Sequence, residues 1–198
     1  MILRTLIILT LTIVSFSASA QIPDLAEDIS PLLIGETIPD ALVRAPDGIE
    51  HSILDILSRK PTVILFYRGG WCPYCNTHLA EIRNAENEIL KLGYQIVAIS
   101  PDSPKNLVVT GEKNELKYHL YSDADGTFST AMGIAFKARK KDLQKLLRYS
   151  DGANTGYLPV PSVFITNPAG MILFEYINPR YKTRLSTRLL IAILQNLD

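Results

Sequence analysis

Three short apolar runs stand out along the chain. Residues 62–67 read Thr-Val-Ile-Leu-Phe-Tyr, residues 95–99 read Gln-Ile-Val-Ala-Ile, and residues 162–166 read Ser-Val-Phe-Ile-Thr. Runs this short and rich in β-branched residues predict strands covered on both faces, as in a sheet enclosed by helices. Between the first two, helical spacing takes over. Leu79, Ile82, Ile89 and Leu92 fall near one stripe, and Gly93 follows as a natural stop. Strand, helix, strand in that order predicts a right-handed βαβ unit.

Two hairpins flank this unit. Ala45-Pro-Asp-Gly48 is a turn between 40–44 and 49–52, and Asn167-Pro-Ala-Gly170 joins 162–166 to an apolar run over 171–176. Helical patterns are predicted over 53–58, over 102–116, over 137–149 with Leu143, Leu146 and Leu147 inward, and over 186–197 with Leu189, Leu190, Ile193 and Leu197 inward. A short strand at 119–121 and a helical turn at 128–132 lie between them; 150–156 reads as loop. The sum is an α/β fold, a mixed sheet with helices on both faces. One domain covers 34–198, preceded by a linker over 21–33 that carries Pro23 and Pro31.

Residues 1–20 differ in kind. Arg4 supplies the early positive charge, an apolar run follows from Leu6 to Phe16, and Ser17-Ala-Ser-Ala20 fits a small-x-small cleavage site. This predicts a signal peptide cut before Gln21; an uncleaved anchor is the alternative. The expectation is an exported protein, periplasmic in a Gram-negative source, with no membrane span after cleavage. The chain balances 20 basic against 20 acidic residues, and losing Arg4 leaves 19 against 20. Nothing in that balance points to nucleic acid.

Candidate chemistry is concentrated in residues 66–78, F-Y-R-G-G-W-C-P-Y-C-N-T-H, which hold the only two cysteines. A bridge between Cys72 and Cys75 closes a very small loop and removes little entropy from the unfolded chain, which argues against a structural clip. His78 makes the stretch resemble half a zinc site, but four ligands are needed and only His51 and His119 remain to supply them. A c-type haem needs histidine where Asn76 stands. No metal or cofactor is therefore expected.

A working thiol pair fits better. Pro73 suits the first position of a helix, which puts Cys72 at the N-cap and Cys75 one turn in. The free N–H groups and the dipole there favour thiolate, the attacking species in disulfide exchange and peroxide reduction. Either sulfur can be the reactive one and the other the resolving one. Gly69 and Gly70 permit a sharp exit from the strand, and Trp71 offers an apolar surface beside the sulfur. Arg68 is expected to end in solvent, and His78 to be a surface or boundary residue.

A buried strand, then Trp-Cys-x-x-Cys opening a helix, then Pro161 before a later strand resembles the thioredoxin-like superfamily. The finer resemblance is to peroxiredoxin-like proteins of the alkyl hydroperoxide reductase/thiol-specific antioxidant family. It rests on 63–75, Gly35-Glu-Thr-Ile-Pro-Asp40, Ile99-Ser-Pro-Asp102 and Tyr121-Ser-Asp-Ala-Asp-Gly126, and it covers most of 34–197. The resemblance implies a three-layer α/β/α sandwich extended by the N-terminal hairpin. It also implies a cis Pro161 facing the cysteines, with Trp71, Val160 and Pro161 binding the substrate. Peroxiredoxins proper carry P-x-x-x-T-x-x-C around the reactive cysteine. With Cys75 in that place the Thr position holds Cys72 and the Pro position Arg68; with Cys72 there, they hold Gly69 and Leu65. Arg139, Arg148 and Arg180 are the arginines considered as activators.

The leading expectation is therefore a thiol–disulfide oxidoreductase cycling Cys72 and Cys75 with protein or low-molecular-weight thiols and disulfides. A thiol-dependent hydroperoxide reductase using the same pair is the alternative. A third reading is a non-catalytic binding module, drawing on the basic residues of 137–148, which carry a single acid, Asp142. A charge run of that kind is more commonly a solvated helix face.

Overall fold

The computed structural model describes residues 22–197. In chain order the elements are β1 (Leu42–Arg44), β2 (Glu50–Ser52), α1 (Ile53–Leu57), β3 (Thr62–Phe66), α2 (Pro73–Lys91), β4 (Gln95–Ser100), α3 (Pro104–Lys113), β5 (His119–Ser122) and α4 (Thr127–Ala131). Then follow β6 (Ala135–Lys137), α5 (Lys140–Tyr149), β7 (Tyr157–Pro159), β8 (Ser162–Thr166), β9 (Ile172–Ile177) and α6 (Thr187–Leu194). Seven strands form one mixed sheet in the order β2-β1-β5-β4-β3-β8-β9. The central strand β3 runs parallel to β4 and antiparallel to β8.

All five residues of β3 are buried, as its uninterrupted apolar run requires. Their alternation divides the core. Val63, Leu65 and Tyr67 face α2 and α6 through Leu79, Ile82, Leu190 and Leu194, together with both cysteines. Ile64 and Phe66 face the other way, toward Ile53, Leu57, Phe128 and Met132. Each fully buried aliphatic side chain contributes about 1.5–3 kcal/mol, so both layers are firmly held. This is the thioredoxin-like α/β/α sandwich, with the β1–β2 hairpin appended at one sheet margin.

Several expectations need correction. No helix begins at Lys137. That residue ends β6, its N–H donates to the Pro23 carbonyl at 2.8 Å, and the helix starts at Lys140. Leu147 is 49 % exposed, because the inward stripe of α5 centres on Leu146. In α6 the buried face is Leu190, Ile191 and Leu194, while Leu189 is 51 % exposed. The β6–β7 pair, a separate two-stranded sheet, has strands too short to show any period. Residues 22–33 pack along the domain; Leu32 N–H, for example, reaches the Met132 carbonyl. The leader-like residues 1–20 lie outside the described residues. Among the described residues no helix is long and apolar enough to cross a membrane.

Candidate active site

The cysteines sit where β3 ends and α2 begins. Tyr67 keeps the sheet pairing one residue past the strand, its N–H bonding the Ile99 carbonyl at 3.0 Å. The chain then turns on two glycines, one fixed by both its positive φ and its space, the other by space. A Cβ on Gly69 (φ +129°) would lie 2.5 Å from Trp71 Nε1 and 2.6 Å from Asp102 Oδ1; one on Gly70 would lie 2.0 Å from Thr110 Oγ1. Gly70 N–H donates to Asp102 Oδ2 at 2.7 Å. Asn76 clamps the turn from the helix side, its Nδ2 donating to the Gly70 carbonyl at 2.9 Å. Cys72 then takes the N-cap with extended backbone, Pro73 opens the helix, and the N–H groups of Cys75 and Asn76 both reach the Cys72 carbonyl.

Both cysteines are free thiols and both are buried. The pair is polarised, with Cys75 raised and Cys72 lowered. The Cys75 thiol donating to Cys72 is the largest influence, and the Cys75 backbone N–H, Arg68 and Arg184 add to it; together they outweigh burial and bring Cys72 down to about 6. Burial pushes Cys75 the other way, and the neighbouring Cys72 adds to that. Arg184 Nη2 lies 3.6 Å from Cys75 Sγ. None of the three arginines considered from sequence holds this place. Arg184 is 109 residues from Cys75, and no local pattern marks it.

Arg68 overturns its expected exposure. It is 4 % exposed, its Nη2 pairs with Asp142 Oδ2 at 3.1 Å, and its guanidinium stacks on Trp71 and Tyr181 at 5.0 and 4.4 Å. Asp142, the single acid in that basic stretch, thus serves the site rather than the helix surface. Arg139 shares it at 3.2 Å. His78 is likewise buried instead of at the boundary. Burial first, then Arg184, brings its pKa down to about 4, leaving a neutral imidazole whose Nε2 has no partner. His51 and His119 pack against Tyr121, on the β5 side of the sheet. Among the described residues no group of three or more His, Cys, Asp or Glu is placed to hold a metal.

Trp71 is half-buried with Lys145 Nζ 5.3 Å from its ring centre. Val160 is fully buried; its N–H donates to the Ile134 carbonyl at 2.9 Å and its carbonyl accepts from Ser162 Oγ at 2.7 Å. Pro161 lines a cavity of about 260 Å³ with Arg68, Arg139 and Tyr181. It is not cis: no cis peptide bond occurs among the described residues. Asp102, quoted earlier only as part of a resemblance, is a buried carboxyl beside the thiols, raised to about 7 chiefly by burial and also by the charge of Cys72.

A sheet-enclosed helix start carrying a polarised Cys-x-x-Cys defines a thioredoxin-like thiol redox protein. The AhpC/TSA family model matches residues 34–174, so the chain belongs to that family and is a peroxiredoxin-like oxidoreductase. A putative peroxiredoxin bcp of Haemophilus influenzae is 31 % identical over 106 residues, covering 54 % of this chain and 68 % of that one. Peroxiredoxin Bcp of Escherichia coli is 26 % identical over 106 residues, with 54 % and 67 % covered. Reduced Prx3 of Vibrio vulnificus superposes with a TM-score of 0.72 at 16 % identity, covering 83 % of this chain and 99 % of that one.

Proposed function

We propose that the protein is a thiol-dependent hydroperoxide reductase in which Cys72 attacks and Cys75 resolves. The observation that carries this reading is the free, buried thiol pair at the start of α2, with Cys72 at the N-cap, Cys75 in the first turn and Arg184 Nη2 3.6 Å from Cys75 Sγ; its neighbours lower Cys72 to about 6 while burial raises Cys75. Membership of the AhpC/TSA family and relatives named as peroxiredoxins support it. The leader-like residues 1–20 support an exported setting.

The chemistry follows from the charges. Cys72 thiolate attacks the O–O bond of the hydroperoxide, forming a sulfenic acid and expelling alkoxide, which takes a proton to leave as alcohol or water. Arg68 and Arg184 supply positive charge where that oxyanion develops. Cys75 sulfur then attacks the Cys72 sulfur. The sulfenic hydroxyl leaves as hydroxide and takes the Cys75 proton to become water. The products are a Cys72–Cys75 disulfide, which external thiols reopen.

Trp71 adjoins the pair and is the only tryptophan, so its fluorescence reports oxidation. Stopped-flow mixing of the reduced protein with hydrogen peroxide and an organic hydroperoxide is the test. Oxidation at least about a hundredfold faster than free cysteine is expected, the scale of one well-placed oxyanion stabiliser. Oxidation no faster than free cysteine sinks the peroxidase. Thiol–disulfide exchange is then the chemistry of the pair, favoured by a spacing that lets the bridge close within a single helical turn.

A further inference from the structure

The rim around the cysteine pair couples aromatic rings to cations. Lys182 Nζ lies 5.5 Å from the Tyr74 ring centre and the Arg139 guanidinium 5.9 Å from that of Tyr181, and the two tyrosines meet edge to face at 5.9 Å. Lys145 covers Trp71 in the same way. Arg68, Arg139 and Tyr181 also line, with Pro161, the cavity of about 260 Å³. Arg68 joins cavity to chemistry, because it lines the one and draws down the pKa of Cys72 in the other.

The cavity holds unspent donors. Each guanidinium has five N–H bonds. Arg68 uses one nitrogen on Asp142 and Arg139 uses two on the same carboxylate oxygen. Neither makes another side-chain hydrogen bond among the described residues. On the far lip Asp24 is paired with Lys137 at 2.6 Å, which leaves Glu27 as the exposed carboxylate there. Within the cavity Arg68 and Arg139 are balanced by Asp142 and Glu27, and the positive surplus comes from the rim around the cysteines, where Lys145 lies over Trp71, Lys182 over Tyr74 and Arg184 beside Cys75. Guanidinium pairs of this kind take carboxylates in preference to neutral groups.

We propose that this cavity binds the carboxylate of a small acidic thiol, the reductant that reopens the Cys72–Cys75 disulfide. The inference rests on the redox reading above. The acidic thiolate attacks the Cys72 sulfur, and Cys75 leaves as thiolate and takes a proton. A second acidic thiolate attacks the mixed disulfide, releasing the small disulfide and leaving Cys72 as thiolate. Two thiols are oxidised to one disulfide while the protein gains two electrons.

The same contact governs the reverse direction, in which reduced Cys72 attacks an acidic disulfide. The reduced protein is therefore mixed with 5,5′-dithiobis(2-nitrobenzoate), a dianion, and with neutral 2,2′-dithiodipyridine. The readout is the ratio of the two rates, divided by the same ratio for 2-mercaptoethanol. At low salt that quotient is expected to reach about tenfold, to fall severalfold in 0.5 M salt, and to fall toward one in Arg139→Glu combined with Lys182→Glu. Succinate, which carries carboxylates without sulfur, is expected to slow the dianionic reagent more than sodium chloride of equal ionic strength. A quotient near one in the unaltered protein overturns the proposal. So does a quotient unmoved by charge reversal, or a succinate effect no larger than that of salt. No peroxide enters the assay, so slow peroxide turnover beside a high quotient would refute the peroxidase while leaving this site intact.

Discussion

Two buried carboxylates stand just beyond neighbouring parallel strands, and the protein supports them unequally. Asp123, after β5, accepts the N–H of Phe128 at 2.9 Å, the N–H of Ser129 at 2.8 Å and the Ser129 hydroxyl at 2.6 Å. The Tyr157 hydroxyl donates to its carbonyl, tying β7 to the start of α4. Asp102, after β4, receives one backbone N–H, from Gly70. Burial raises both, Asp123 to about 6 and Asp102 to about 7. The difference lies in what offsets the burial. Around Asp123 three donors restrain the rise and Asp125 adds to it; around Asp102 only the Gly70 N–H and Ser100 restrain it, and Cys72 adds to it. The region around Asp123 is framework in which polar groups are matched. The cysteine turn leaves several unmatched: Tyr67 hydroxyl, Trp71 Nε1 and His78 Nε2 all lack partners. Unsatisfied groups and shifted acids gathered at one place mark reactivity rather than scaffolding.

That contrast can be broken in four ways. Cys72→Ser should have the largest effect, lowering the peroxide rate by ~10³ or more because the hydroxyl is no nucleophile at neutral pH. Its stability should stay within about 1 kcal/mol, since Cys72 makes no side-chain capping bond to lose and serine suits the N-cap position. Stopped-flow and urea titration read the two halves; a variant still oxidised at the original rate removes Cys72 from the chemistry. Asp123→Ala should cost roughly 3–5 kcal/mol, because it orphans several buried donors at once. If urea unfolding shows less than about 1 kcal/mol, Asp123 is not the framework it appears in outline.

Asp102→Asn probes the other side. A carboxyl raised by folding binds its proton more tightly in the native state than unfolded, so its contribution is fully present below about pH 4 and is lost as pH rises toward 7. The unaltered protein should lose roughly 2–4 kcal/mol across that window on this account, and the asparagine, which keeps an acceptor for Gly70 N–H, should flatten the loss. Parallel stability–pH curves for the two proteins would show that Asp102 is ionised in the native state throughout. The smallest effect is Arg184→Gln. Losing that charge should move the midpoint of Cys72 alkylation upward from about pH 6 by roughly half to one unit. An unshifted profile removes Arg184 from the thiolate's support.

The β3–α2–β4 unit and both hairpins were legible because their runs and turns carry local signatures. So was the position of the cysteines, since Pro73 fixes where the helix begins. What escaped was long-range or very short. Asp142 lies 74 residues from Arg68 and pairs with it, yet in sequence it looks like one acid on a solvated helix. Arg184 comes from the segment before α6 and bears no mark of its destination. His78 was misjudged because it stands one turn from Cys75 on the face that α2 buries, and a lone polar residue does not reveal the face it shares. The three-residue strands β6 and β7 have no period to detect. Trp71 is sited by its place next to Cys72 and Pro161 by resemblance, and both stand close to Arg68, a neighbour that neither specified.

The segment over 22–38 has one consequence for how the polypeptide is made. Its backbone partners are Lys137, Met132, Ile172 and Gly170: Pro23 receives the first, Leu32 reaches the second, and Gly35 and Ile38 reach the last two. These residues are synthesised long after it. The part of the described chain that emerges first therefore meets its first distant backbone partners only when Met132 and Lys137 have been made and its last when Gly170 and Ile172 have, so its settling belongs to the later part of assembly.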